Sequence, residues 1–149
     1  MKYELTENTN NGLSQIRALK DFGNVKAGDL GGWIESEKNL SQEGNCWVFR
    51  SAQVSGNAQV YGNAQVSGYA LVTGNAWVSG YAQVSGNARV SGNARVYGNA
   101  QVSGYALVTG NAWVSGYAQV SGNARVSGNA RVYGNAQVSG YALVTGNAW

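Results

Sequence analysis

The stretch "NARVSGNARVYGNAQVSG", residues 87–104, says one six-residue phrase three times, with only two of its six positions free to vary. The phrase is Asn-Ala-x-Val-x-Gly. In an extended chain successive side chains point to opposite faces, so Ala and Val share one face and the two variable residues share the other. Gly and the following Asn then turn the chain, since both tolerate positive φ. Tyr replaces Asn at the second corner position in several hexads and never replaces Gly at the first, so the left-handed conformation is expected at Gly. Four residues of strand and two of corner make one side of a polygon.

The frame runs without a break from Ser51 to the end of the chain. Residues 63–98 are repeated unchanged as 99–134, and a third copy begins at Asn135. A 36-residue super-repeat holds either two rungs of 18 residues, a triangle, or three rungs of 12, a flattened coil. Stacking at 18 makes one outward column pure Gln (Gln65, Gln83, Gln101, Gln119, Gln137), and its neighbour pure Ser. It also makes one corner column pure Asn. Stacking at 12 breaks the Gln and Ser columns. Amide side chains stacked like on like can bond from one rung to the next, so the triangle is the expected form.

The pattern Val-x-x-x-Ala-x over residues 45–149 resembles the hexapeptide-repeat family. That resemblance implies an all-β fold, a left-handed parallel β-helix with 18 residues per rung, and it is the source of the handedness, which spacing cannot supply. One departure is that the family often carries Gly or an acid directly after the aliphatic residue, where this chain has Ser, Thr or Tyr. The opening "RALKDFGNVKAGDLGGWIESEKNLSQEGNCWV" (17–48) resembles the front of uncharacterised bacterial and prophage hexapeptide-repeat proteins.

Read backwards, the frame places Cys46 in an Ala slot and Val48 in a Val slot, with Cys46 as a small buried hydrophobe. The two hexads before it then offer Ile34 with Ser36, and Leu40 with Gln42, as inward pairs of an atypical end rung. "KYEL" and "LSQIRAL" around the turn-like "NTNNG" read as a hairpin. Its acids and lysines are expected to cover the open top of the core, so residues 1–44 form an N-terminal cap and 45–149 the solenoid. Ala and Val run to the last residues and Trp149 closes nothing; the expectation is a fragment, or an end that docks on another molecule.

The composition suits this architecture. There are 22 Gly, no Pro, no His and one Cys in 149 residues, and Leu and Ile are scarce, which excludes a thick globular core and a disulfide framework. Charge is segregated. All seven acids lie before residue 45 and five arginines after it, so the net +3 divides into −2 (five Lys and Arg less seven acids) and +5. No apolar run approaches the roughly 20 residues of a membrane span, and "MKYELTENTN" lacks the apolar core of a secretory signal. Cytoplasmic synthesis is the default, a virion component the other possibility, with no membrane partner.

Many hexapeptide-repeat proteins are acyltransferases that use His as a general base, and this chain has none. Cys46 lacks that activating partner, and His/Cys metal sites cannot be assembled. The expectation is no catalytic residues, no metal and no cofactor: a structural or interaction module. One face instead gathers Trp77, Arg95, Trp113, Arg131 and Trp149 in one column, beside Tyr61, Tyr97 and Tyr133. Two readings stay open. The column is a self-contained cation–π ladder, or it is a binding platform with Trp about 9.6 Å apart. The platform would take a polysaccharide, a single-stranded nucleic acid, or a second copy of the chain. With only Thr73, Thr109 and Thr145 available, an ice-binding Thr array is not expected.

Overall fold

The computed structural model describes residues 1–149. Residues eighteen apart do lie over one another: Gln83 pairs with Gln65 and Gln101, Arg89 with Leu71 and Leu107, and Arg95 with Trp77 and Trp113, all in parallel register. Three parallel sheets result, one per side of the triangle. Within each hexad only the variable residue and Val form regular strand, as in Gln83–Val84, shorter than the four residues expected. The corners nonetheless join the ladder. Asn57 N–H donates to the Gly74 carbonyl at 2.8 Å, beside Gln59 N–H to Ala76 at 2.9 Å and Tyr61 N–H to Val78 at 3.0 Å. The amides of both strand and corner are thereby satisfied along the solenoid axis.

Each corner is a four-residue turn closed within its own rung, as where Ala88 N–H donates to the Ser85 carbonyl at 3.2 Å. Positive φ falls on the first central residue alone (Gly86, φ 64°), the type II′ pattern. That is the reason Tyr is accepted at the second corner position only. A Cβ on Gly86 would also lie 2.9 Å from the backbone nitrogen of Gly104, so stacking excludes a side chain there as well.

Ala and Val of every hexad from Ala52 to Ala130 are buried and form one continuous core. The stacked Gln and Asn columns exist, but no hydrogen bond joins one Gln side chain to the next along them. Their amides stand at the surface, where water competes for them, and the backbone carries the inter-rung bonding.

The cap begins with β1 (Tyr3–Asn10) and β2 (Leu13–Ala18), an antiparallel hairpin whose turn holds Asn11 and Gly12 at φ 53° and 82°. β2 then pairs antiparallel with β3 (Leu30–Ile34), and β3 pairs parallel with Gln53–Val54, so the hairpin extends one side of the triangle. Tyr3 and Ile16 join the core. The acids do not cover the lumen as expected: apart from the half-buried Glu4, all are solvent-exposed. Buried Lys2 does, with Nζ donating to the Cys46 carbonyl at 2.8 Å.

The first rung departs from the expected frame. Ile34 pairs with Val54 and Leu40 with Val60, an offset of twenty, whereas Val48 pairs with Val66 at eighteen. Two extra residues are therefore accommodated between Leu40 and Val48. Ile34 and Leu40 fill Val slots rather than Ala slots, and Ser36 and Gln42 are not their inward partners. Ser36 instead caps a short 3₁₀ turn, Glu37–Asn39. Gln42 turns to β1, its Oε1 accepting from the backbone N–H of Lys2 at 2.7 Å and of Tyr3 at 3.1 Å. Gly32 occupies the vacated Ala slot of β3, where a Cβ would come within 2.7 Å of Val48 Cγ1.

Candidate functional site

With Ala and Val pinned inward, the residue between them must face outward, and on the third side of the triangle that residue alternates between Trp and Arg. Parallel pairing sets Gln59, Trp77, Arg95, Trp113 and Arg131 in a single column. The Arg95 guanidinium carbon lies 4.4 Å from the ring centre of Trp77 and 5.3 Å from that of Trp113. Arg131 lies 4.5 Å from Trp113 and 5.0 Å from Trp149. Trp113 thus lies between two guanidinium groups and is half-buried. The neighbouring column packs edge-on: Tyr61 meets Trp77 with ring centres 6.1 Å apart at 75°, and Tyr97 meets Trp113 at 6.3 Å and 75°. Tyr133 takes the equivalent place one repeat on and is exposed, as is Trp149.

An open cleft of about 220 Å³ lies on this face, lined by Tyr61, Trp77, Ser79, Arg95, Tyr97 and Trp113. No carboxylate reaches it. The ion pairs of the protein are Arg17–Glu4 at 3.2 Å and Lys26–Asp21 at 3.9 Å, both in the cap. A ligand stacking on either face of Trp113 would have to displace a guanidinium first. The alternation also keeps the arginines two rungs apart, where direct stacking would make them repel.

Sequence reasoning left Cys46 without a partner, and the structure supplies one from 44 residues away. Lys2 Nζ is 3.3 Å from Cys46 Sγ and also approaches the Glu43 and Gly44 carbonyls, at 3.5 and 3.4 Å, and the Phe22 ring, at 4.9 Å. Burial pushes the Cys46 thiol above its ordinary range, and the nearby Lys2 only partly offsets this. Burial likewise pushes the Lys2 ammonium down. Burial and a raised proton affinity both disfavour the reactive thiolate at Cys46. No three His, Cys, Asp or Glu side chains stand together as a metal site would require. Trp47, outward by the repeat, is buried because Phe22 packs on it edge-on at 5.2 Å. Nothing in the local sequence signals these contacts, since each joins the cap to a rung far along the chain.

The fold and this face define a β-solenoid of tandem hexapeptides that follows an N-terminal hairpin, with an outward surface that recurs every two rungs. The chain matches the YdcK Beta solenoid repeat at residues 52–68, 64–80, 82–98, 88–104, 100–116, 118–134 and 124–140, more than half its length. It belongs to that family. It is also similar to the "Uncharacterized acetyltransferase YdcK" of Escherichia coli (strain K12), 57% identical over 37 residues, which is 25% of this chain and 11% of that protein. The matched region therefore spans about a ninth of that relative. No helix is long and apolar enough to cross a membrane.

Proposed function

We propose that the chain is a non-enzymatic scaffold: a stiff rod that presents the same surface unit once every two rungs to a partner or to copies of itself. The observation that carries this reading is the identity of residues 63–98 and 99–134 combined with their equivalent pairing. Within residues 63–134 every outward feature occurs twice, whereas an active site needs one singular constellation. The residues favour the same view. There is no His, and the one thiol is buried and held protonated.

The acetyltransferase in the relative's name does not carry over on 37 matched residues. The test is direct: purified protein is incubated with acetyl-CoA and a panel of amine and hydroxyl acceptors, and free thiol release is followed. No turnover above buffer is expected. Turnover that disappears in Cys46→Ala would overturn the scaffold reading.

A further inference from the structure

The five solenoid arginines do not share one role. Arg95 and Arg131 lie between Trp rings. Arg89 and Arg125, on the adjacent side of the triangle, are exposed, lie over no ring and meet no carboxylate. Both flank Leu107 in register, one rung to either side. Tyr105, 64% exposed at the corner of the Leu107 rung, stands between Asn87 and Asn123 of the Arg rungs. These six residues line a cleft of about 310 Å³. The unit is a guanidinium and an amide, then an aromatic ring and an aliphatic side chain, then a guanidinium and an amide again. Tyr69 and Leu71 begin the same unit one repeat earlier.

We infer that this edge binds an extended acidic polysaccharide carrying one carboxylate on every second sugar. Three features carry the assignment. The charges are free to pair, and from residue 45 onward no acid competes for them. They recur every two rungs, about 9.6 Å apart by sheet spacing, so the matching polymer repeats its charge sparsely, as a uronic acid alternating with a neutral sugar does. The residue pair between them, an exposed ring beside a half-buried Leu, suits the apolar face of a sugar, with the corner amides placed for its hydroxyls. A nucleic acid fits less well. A stacked strand carries a phosphate about every 3.4 Å, so about three phosphates would meet each guanidinium and most would stay uncompensated. The Trp column suits either polymer less well, because each of its arginines already lies against two Trp rings.

The test uses the whole chain and a hyaluronan decasaccharide, in which glucuronate alternates with a neutral sugar. Its carboxyl-reduced form and an oligothymidylate of similar length serve as comparisons, with binding read by calorimetry at low salt. The decasaccharide is expected to bind, and the reduced form to bind at least about tenfold more weakly, as loss of charge-assisted contacts requires. R89Q/R125Q should lose about as much, while K20Q/R50Q, which removes equal charge from exposed sites elsewhere, should bind as the unaltered chain does. Circular dichroism confirms that both variants keep the fold. No binding by the unaltered chain, equal loss in both double variants, or tighter binding of the oligothymidylate would each overturn the assignment. None of these outcomes bears on whether the chain turns over acetyl-CoA.

Discussion

The side-chain amide of Asn39 donates to the carbonyl of Ala58 at 2.8 Å, in the place where a further rung would present a backbone N–H. The same nitrogen donates to the Gly56 carbonyl at 3.1 Å. In regular rungs these two acceptors are served by two alternate backbone amides, as Gln59 and Asn57 serve Ala76 and Gly74. Asn39 Oδ1 in turn accepts from the backbone of Glu35 at 3.0 Å and of Ser36 at 2.9 Å. One buried residue thus uses its whole complement of two donors and two acceptor sites to finish the sheet edge that the short 3₁₀ turn leaves open.

Removing that amide should therefore be costly. Asn39→Ala strands the buried Ala58 carbonyl and three part-buried groups, the Gly56 carbonyl and the N–H groups of Glu35 and Ser36; an unsatisfied buried group costs about 1–3 kcal/mol, and since water can reach the other three the total loss should be of about that size. Asn39→Asp keeps the acceptors but turns an oxygen toward the Gly56 and Ala58 carbonyls, so it should be no better than Ala. Urea unfolding of the three proteins measures both. If Asn39→Ala unfolds at the midpoint of the unaltered chain, the amide is not completing the edge.

How much of this was legible follows from where the period holds. From Ser51 onward each hexad has the same length, so counting in eighteens predicts every pairing, and the choice of Gly for the left-handed corner follows from where Tyr is tolerated. The count fails where the chain stops obeying it. Between Leu40 and Val48 two residues are inserted, and side-chain amides of Asn39 and Gln42 replace backbone donors and acceptors, which a periodicity cannot register. The Trp–Arg column was readable because it depends on register alone. The covering of Trp47 by Phe22 and of Cys46 by Lys2 was not, because those contacts come from a loop and a terminus whose paths no repeat dictates. The expected amide ladders were a misjudged energy rather than a misjudged position, since exposed amides gain little by exchanging water for each other.

The Trp–Arg ladder makes a second prediction, on coupling rather than on loss. Arg95 lies against both Trp77 and Trp113, and exposed cation–π contacts contribute about 0.5–1 kcal/mol each. A double-mutant cycle over Arg95→Ala and Trp113→Ala, read from thermal or urea unfolding, should return a coupling of about that size. The same cycle over Arg89→Ala and Leu107→Ala, neighbours in register without a ring, should return close to none. Equal coupling in the two cycles would mean that simple stacking area, and not the guanidinium against the ring, supports the column.

Alkaline pH should loosen the cap before the solenoid, and the sign follows from three buried groups. Tyr3, whose hydroxyl donates to the Leu40 carbonyl at 2.6 Å, has its phenol pushed up by burial, and the Cys46 thiol is pushed up for the same reason. For both, the folded state holds a proton that the unfolded state releases, so stability is full below the ordinary value and falls as pH rises above it. Those ordinary values are 9.0 for the thiol and 10.0 for the phenol. Lys2 is pushed down from 10.5, so the folded state gives up its proton first and stability from this group rises until that value is passed. Lys2 therefore opposes Cys46 and Tyr3 over the lower part of the window, and the decline should steepen once its opposition is spent, above about pH 10.5. Urea midpoints measured across this range should show a shallow fall followed by a steep one. Tyr3→Phe, less stable at neutral pH for want of its hydrogen bond, should lose the steep part, and Cys46→Ala should keep it. A Tyr3→Phe protein that declines as steeply as the unaltered chain would show that the phenol beneath the hairpin is not what alkali attacks.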